Sequence, residues 1–182
     1  MRIVAGTYRS RIIKAVPGVN TRPTLDKVKE AIYSRIGPYF NEGEMLDLFA
    51  GSGNMGIEAL SRGMKHVIFC DNANIAIKTI QDNLTTLKIQ DYDLWKGNYL
   101  NSLKRCVIEN KQFDYIYLDP PYDLGAMNEV LTFIDEHFLL RKDGFLICET
   151  LKKEVLTDDF NQFKIEKEAT YGISKITYYR GH

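Results

Sequence analysis

Short apolar runs alternate with helix-like segments along most of this chain. From residue 44 onward the apolar runs are MLDLFAG, HVIFC, DYDLW, FDYIYLD and GFLICET. The segments between them, at 55–62, 73–88, 98–109 and about 125–140, show helical spacing of apolar residues. Strands that alternate with helices predict an α/β fold: a mainly parallel, Rossmann-like sheet with helices on both faces.

The two ends of the chain depart from this alternation. FKIEKEATYGISKITYYR predicts an antiparallel C-terminal hairpin that turns at Tyr171 and Gly172. At the other end, RIVAG and RIIKAV predict a small β-hairpin, and TLDKVKEAIYSRI predicts a helix that docks on the body. We therefore expect an N-terminal extension over residues 1–40 and a larger domain over residues 41–182.

Composition narrows the class of protein. A hydrophobic fraction of 45% over 182 residues suits one folded domain and argues against disorder. No apolar run is long enough to span a bilayer, so we expect a soluble, cytoplasmic monomer without membrane contacts. Cys70, Cys106 and Cys148 are widely spaced within apolar segments, which indicates buried, reduced thiols. The histidines show no ligand spacing, so no metal site is expected.

Charge is distributed unevenly although the net charge is zero. Residues 1–35 contain eight Lys or Arg against two acidic residues, so the rest of the chain carries a net charge of −6. A basic arm on an acidic body favours an anionic partner such as nucleic acid, although a solvated charged face is equally compatible. The candidate RNA contacts in the arm are Arg2, Arg9, Arg11, Lys14 and Arg22.

The first strand of the body runs into a glycine-rich turn, DLFAGSGNMG. Gly51 and Gly53 allow the backbone to approach a ligand where a Cβ atom would clash. The letters also satisfy the dinucleotide fingerprint, so an NAD site is one interpretation. Asp47 favours another, because a carboxylate suits an amine-bearing nucleotide better than a pyrophosphate.

Polar residues follow the next two strands. Asp71 ends HVIFCD, where its carboxylate can accept hydrogen bonds from both ribose hydroxyls or cap a helix. Asn98 follows the third strand and can cap the next helix or bind an adenine edge. Ligands of such sheets bind at the carboxyl ends of the strands, so these residues should share one edge.

The fourth strand ends in Asp119, Pro120, Pro121 and Tyr122. Consecutive prolines end a strand and leave a stiff corner rich in carbonyl groups. A carboxylate, a carbonyl and a ring face together suit a planar group that bears an NH2. A strand-terminating turn is the alternative.

These motifs together resemble the class I S-adenosylmethionine-dependent methyltransferases that modify exocyclic amines of nucleobases. MRIVAGTYRSRIIK, RPTLDKVKEAIYSRI, LDLFAGSGNMGIEALSRG and YLDPPY resemble, in that order, the RsmD family, which methylates the guanine N2 amine of one nucleotide in 16S ribosomal RNA. Asp71 stands where Glu is commoner, and Asn98 where Asp is often found.

The resemblance implies roles for individual residues. Asp119, Pro120 and Tyr122 would be catalytic, and Pro121 would contact the substrate RNA. S-adenosylmethionine would be held by residues of the first three strand ends: Asp47, Phe49, Gly51, Gly53, Asp71 and Asn98. The partner would be ribosomal RNA, within the small subunit or its assembly intermediate.

Other functions stay open at this point. A DNA adenine-N6 methyltransferase can use the same Asp-Pro-Pro-Tyr motif, but it usually carries a sizeable target-recognition region. An NAD-dependent oxidoreductase would use only the glycine turn. A noncatalytic RNA-binding assembly factor would bind RNA and transfer no methyl group.

Overall fold

The computed structural model describes residues 1–18 and 26–182. Strands and helices alternate through the body as the apolar pattern predicts. In chain order the elements are α1 (Asp26–Ile36), β1 (Glu44–Asp47), α2 (Asn54–Ser61), β2 (His66–Asp71), α3 (Asn74–Leu87), β3 (Tyr92–Lys96), α4 (Tyr99–Ile108), β4 (Phe113–Leu118), α5 (Met127–Glu136), β5 (Leu140–Leu151), β6 (Phe163–Tyr171) and β7 (Ser174–Gly181).

The strands form one seven-stranded sheet in the order β3-β2-β1-β4-β5-β7-β6. β1 to β5 run parallel, and β7 lies antiparallel between β5 and β6. The chain moves outward from β1 through β2 to β3 and then returns to place β4 on the other side of β1. Ligands of such sheets bind at this reversal, so the carboxyl ends of β1 and β4 mark the expected site.

Side chains alternate between the two faces of the sheet, and each face has its own apolar core. In β2, Val67 and Phe69 pack with α2 and α3, whereas Ile68 and Cys70 pack with α4 and α5. This alternation is the period-two geometry of a strand covered on both faces. The predicted mainly parallel sheet with helices on both faces and an antiparallel C-terminal hairpin is confirmed.

The N-terminal arm, residues 1–18, is held by the body more than by itself. Its antiparallel pairing centres on a bridge between Arg2 and Ile12, with backbone hydrogen bonds on either side that join Met1 to Ile13 and Ile3 to Ser10 and Arg11; the pairing is shorter than the predicted hairpin. The reason is that α2 takes the arm's amides: the Glu58 carboxylate accepts hydrogen bonds from Val4 N and Ala5 N at 2.8 and 3.0 Å. The arm therefore lies along α2.

The last body helix and the cysteines agree with the predicted pattern, with small shifts. The last body helix starts at Met127 and ends at Glu136, inside the predicted segment. All three cysteines are free and buried, as expected. No helix in the described part of the chain is long and apolar enough to cross a membrane. Within residues 1–18 and 26–182, no group of three or more His, Cys, Asp or Glu side chains is arranged to hold a metal ion.

Candidate active site

The sheet topology brings the predicted site residues to one edge. Asp47 ends β1, Asp71 ends β2, Asn98 follows β3 and Asp119 follows β4. β1 lies between β2 and β4, so the glycine turn after β1 is flanked by Asp71 on one side and Asp119 on the other. We call the ends of β1 to β3 the cofactor half of this edge and the ends of β4 and β5 the target half, after the roles that the sequence resemblance implies for their residues.

The glycines of the cofactor half serve three different purposes. Gly51 has φ of 56°, and a Cβ atom there would meet nothing within 4 Å. Gly53 has φ of 79°, but its Cβ atom would press on Ile57 and Ile80 at 3.2 and 3.4 Å. At Gly56 a Cβ atom would overlap the Phe69 ring. Gly51 therefore borders open space for a ligand, whereas Gly53 shapes the turn and Gly56 lets α2 pack on β2.

The Asp47 carboxylate stabilises the segment that follows the glycine turn. Its side chain is buried, and Oδ2 accepts a hydrogen bond from Gly56 N at 3.0 Å. Burial raises the pKa of Asp47 to about 7; the bond from Gly56 opposes that rise, and the charge of Asp71 adds to it. The sequence suggested that this carboxylate faces an amine-bearing ligand, but in the structure it holds the first turn of α2.

Asp71 ties two loops together. Its Oδ2 accepts a hydrogen bond from Gly51 N and its Oδ1 accepts one from Ala73 N, both at 2.9 Å. The residue is half-buried, and each oxygen retains a second lone pair. Asp71 can therefore accept ribose hydroxyls while it fixes the backbone of the glycine turn.

Asn98 caps α4, which was one of the two roles predicted for it. Its Oδ1 accepts a hydrogen bond from Leu100 N at 2.8 Å, so its NH2 group is left for other partners. The next residue, Tyr99, has its ring centroid 5.6 Å from that of Phe49. Phe49 is only partly buried, so an aromatic surface lies between the glycine turn and α4.

The Asp-Pro-Pro-Tyr segment forms a corner at the end of β4. Pro120 is buried and Pro121 is exposed, and Pro121 O accepts a hydrogen bond from Leu124 N at 3.0 Å to close the turn. The Tyr122 side chain is 46% exposed, and its hydroxyl lies 3.4 Å from Ser174 Oγ. The corner therefore offers an exposed ring beside a partly buried carboxylate.

Asp119 lies in an electrostatically unfavourable place. Burial raises its pKa well above the ordinary value, and the negative charges of Glu149 and Asp47 raise it further. Leu118 pairs with Cys148 in the β4–β5 ladder, so Asp119 and Glu149 each follow one member of that pair. Two carboxyl groups therefore lie on neighbouring strands near the carboxyl end of β4, and the charge of Glu149 acts on Asp119.

A cleft of about 260 Å³ opens beside this corner. Pro120, Pro121 and Tyr122 form one wall, and Glu149 and Thr150 at the end of β5 form another. The volume is below the ~300–1,000 Å³ typical of sites for drug-sized ligands, so the cleft suits a single base better than a whole nucleotide.

The basic residues of the arm lie against different helices of the protein, with Arg2 beside α1 and Lys14 beside α3. Arg9, Arg11 and Lys14 are exposed, whereas Arg2 pairs with Asp26 at 3.3 Å. Tyr8 N donates to Ser61 Oγ at 3.0 Å, which places the arm's turn at the end of α2 far from the glycine turn. The predicted contact Arg22 lies outside the described residues.

A buried polar cluster joins α1, α2 and the arm. Lys29 Nζ donates to Arg2 O and Asn54 Oδ1 at 2.6 and 2.8 Å and lies 3.1 Å from Glu58 Oε2. Glu58 Oε1 also accepts from Arg62 Nε at 2.8 Å. Burial lowers the pKa of Lys29, and the Glu58 charge opposes that effect. Because Asn54 follows Gly53 directly, α1 is linked to the start of α2 at the glycine turn.

A second buried link involves Asn83 on α3. Its Nδ2 donates to Ser52 O and Lys14 O, each at 3.0 Å, and its Oδ1 accepts from Lys14 N at 2.8 Å. One side chain therefore connects the arm to the glycine turn. Sequence reasoning missed Asn83 and Lys29 because their partners lie far away along the chain; the only available signal was a polar residue on a face that is otherwise apolar.

The chain is similar over nearly its whole length to known proteins. The family model described as "conserved hypothetical protein 95" matches residues 1–180. The putative rRNA methyltransferase YlbH of Bacillus subtilis is 41% identical over 99% of this chain and 98% of its own length. Ribosomal RNA small subunit methyltransferase D of Haemophilus influenzae is 32% identical over 99% of this chain and 93% of its own.

A solved structure shows the same likeness in three dimensions. The crystal structure of a putative methylase from Haemophilus influenzae superposes with a TM-score of 0.83 at 31% identity. The match covers 99% of this chain and 97% of the other. Both the sequence and the whole fold are thus shared with these proteins, and the chain belongs to the RsmD family.

Proposed function

We propose that this chain methylates the exocyclic N2 amine of one guanine in small-subunit (16S) ribosomal RNA. The observation that carries the proposal is the Asp-Pro-Pro-Tyr corner. Asp119 accepts no hydrogen bond from the described residues, and the adjoining Pro120, Pro121 and Tyr122 line a cleft for one base. The protein is a methyltransferase, and its cofactor is S-adenosylmethionine. The names of the relatives from Bacillus subtilis and Haemophilus influenzae support ribosomal RNA as the substrate.

The cofactor half of the edge fits this donor. Open space at Gly51 allows the ligand to approach the backbone, and the Asp71 oxygens can accept its ribose hydroxyls. The Asn98 NH2 group and the Phe49 ring can contact the adenine. S-adenosylmethionine, when bound, supplies a methyl group activated by a positively charged sulfur.

The target half would orient the amine. The N2 lone pair of guanine is delocalised into the ring, so the amine is a poor nucleophile in its planar form. Asp119 and the Pro120 carbonyl can accept its two hydrogens and so align the lone pair for attack. An Asp119 carboxylate oxygen can also take the proton that the nitrogen loses, which its raised pKa favours.

The RNA would be held by stacking and by charge. The exposed Tyr122 ring can stack on the base, an interaction worth about 1–3 kcal/mol per base in single-strand binders. Pro121 is exposed beside it and can contact the same nucleotide. Residues 1–40 would form the RNA-binding extension, with Arg9, Arg11 and Lys14 facing phosphates and Arg2 and Arg22 as further candidates. A base reaches the corner most easily from an unpaired region, where less stacking is lost.

The test is methyl transfer from radiolabelled S-adenosylmethionine to separated 16S rRNA, 23S rRNA, small subunits and DNA, followed by nucleoside analysis. We expect labelled N2-methylguanosine from 16S rRNA, either free or within the small subunit. Labelled N6-methyladenosine, or label in DNA alone, would overturn the proposal. Asp119→Ala serves as the control for a contaminating enzyme.

A further inference from the structure

Glu149 is a buried carboxyl group that the proposed reaction does not use. It lies near the end of β5 with 8% of its surface exposed. Tyr117, on the neighbouring strand β4, donates its hydroxyl to Glu149 Oε2 at 2.8 Å. That bond fixes the side chain and leaves Oε1 as an acceptor. A buried carboxylate is costly unless donors surround it, so a group of this kind calls for a further donor.

The surroundings indicate where that donor comes from. Glu149 lines the same cleft as Pro120 and Tyr122, so it faces the base that Tyr122 would stack on. The next residue, Thr150, also lines the cleft, and its buried Oγ1 has no hydrogen-bond partner within residues 1–18 and 26–182. Buried polar atoms are nearly always paired in a completed site. A polar ligand in the cleft would therefore supply the hydrogen-bond partner that Thr150 Oγ1 lacks among the described residues.

We propose that Glu149 selects guanine by accepting the hydrogen of the guanine N1–H group. The inference rests on the proposed function, because it requires the N2 amine to lie at Asp119. N1–H and N2 are adjacent donors on one edge of guanine, so two neighbouring carboxyl groups can each take one of them. Adenine presents a bare nitrogen at N1, which would face the Glu149 carboxylate with a lone pair and be repelled.

The test separates the two donors chemically. Small subunits are reconstituted with 16S rRNA that carries either guanine or 2,6-diaminopurine at the methylated position. Both bases have the N2 amine, but only guanine has a hydrogen on N1. We expect the wild-type enzyme to methylate guanine at least tenfold faster than 2,6-diaminopurine in a single turnover.

Glu149→Gln should remove this preference. The amide oxygen keeps the hydrogen bond from Tyr117, which turns the NH2 group toward the base. That group opposes guanine N1–H and matches the bare N1 of 2,6-diaminopurine. We expect the guanine preference to fall at least tenfold or to reverse. Because the two bases also differ at position 6, the decisive quantity is the change in the ratio between enzyme variants.

Glu154→Gln is the matched control, because Glu154 lines the same cleft and loses the same charge. Its guanine preference should stay at the wild-type value. Tyr117→Phe is a second variant that removes the donor anchoring Glu149, and we expect it to lower the preference about threefold. If Glu149→Gln does not fold, the ratio for Tyr117→Phe decides.

An unchanged ratio in every folded variant would overturn the role of Glu149 while leaving guanine methylation intact. A wild-type enzyme that methylates neither base would instead overturn the proposed function, so the two failures are distinguishable.

Discussion

The two halves of the ligand-binding edge differ in how their polar groups are used. In the cofactor half, Asp47 and Asn98 accept hydrogen bonds from amides in the first turns of α2 and α4, and Asp71 accepts them from amides of two loops. These bonds hold the glycine turn and the start of α4 in place without a ligand. The cofactor half is therefore preorganised by the protein itself.

In the target half, by contrast, two polar side chains lack hydrogen-bond partners among the described residues. Among the described residues, no hydrogen bond to the Asp119 carboxylate is present, and Thr150 Oγ1 is also unpaired. Tyr122 presents nearly half of its surface to solvent. We infer that the cofactor half gives affinity for the donor, whereas the target half becomes complete only when an RNA base supplies donors and a stacking surface.

The largest expected effect follows from removing the acceptor in the target half. Asp119→Ala should lower the single-turnover methylation rate by about two orders of magnitude or more, the scale of losing one oriented polar group in a transition state. Folding should survive, because the raised pKa of Asp119 means that its ionised form destabilises the native state at neutral pH. Quenched-flow methylation and thermal unfolding provide the measurements.

Asp123→Ala is the matched control for this change, since Asp123 is exposed in the same turn. Its rate should equal that of the wild type. A folded Asp119→Ala enzyme with the wild-type rate would mean that the Asp-Pro-Pro-Tyr corner only ends the strand and has no role in catalysis.

A substitution in the cofactor half should affect donor affinity instead. Asn tolerates the left-handed φ of 56° at Gly51, so Gly51→Asn keeps the turn while filling the open space beside it. We expect S-adenosylmethionine to bind at least tenfold more weakly by calorimetry, a loss of about 1.4 kcal/mol.

Gly125→Asn makes the same change in the target half, where φ is 60° and the space is also open. Calorimetry should show wild-type donor affinity for this variant. Equal losses in both variants would mean that neither glycine marks the cofactor site.

The positive charge of the arm should strengthen RNA binding without affecting cofactor affinity. Reversing Arg9, Arg11 and Lys14 to Glu should weaken RNA binding. The negative slope of log K against log salt should become shallower by about 2, because each of three lost phosphate contacts to a single strand contributes about 0.7. Cofactor affinity should not change, since all three side chains point to solvent.

The control reverses Lys88, Lys111 and Lys142. These residues lie near the amino ends of β3, β4 and β5, at the edge of the sheet opposite to the glycine turn. Fluorescence titrations over a range of salt concentrations should give these proteins the wild-type slope. The same slope for arm mutant and wild type would exclude an electrostatic role for the arm.

The smallest effect concerns stability and pH. The folded pKa of Asp47, about 7, lies above its ordinary value near 4, so its contribution to stability is full below pH 4 and is lost as the pH rises to about 7. Asp47→Asn keeps an acceptor for Gly56 N without the titration. We expect the wild-type Tm to fall by a few degrees more than that of the variant between pH 5 and 7.5. Parallel Tm curves would contradict the raised pKa.

The sheet, and the edge at which Asp71 and Asp119 lie, could be predicted from the sequence because both depend on local patterns. Apolar periodicity identifies strands and helices, and parallel strands bring Asp71 and Asp119 to one edge whatever the loops do in detail. The direction of a side chain is not local. The Asp47 side chain points to Gly56, and a Cβ atom at Gly53 would point to Ile57 and Ile80. Both directions depend on how α2 and α3 pack on the sheet.

Polar contacts between residues far apart along the chain could not be predicted from the sequence for the same reason. The bonds of Asn83 to Lys14 and Ser52 join segments that only the folded chain brings together. Glu149 lay inside a run that predicted a buried strand, so nothing marked it as a group beside the corner. The short N-terminal pairing also depended on a distant partner, since Glu58 takes the amides that a longer hairpin would have used.

The most direct test of the division between the two halves is one donor titration, in which single-turnover methylation is measured at increasing S-adenosylmethionine for Gly51→Asn and Asp119→Ala. We predict that saturating donor restores Gly51→Asn to nearly the wild-type rate, because only its affinity is impaired. Asp119→Ala should remain about 100-fold slow or worse at every concentration. Recovery of both variants, or of neither, would contradict the separation of donor binding from orientation of the target amine.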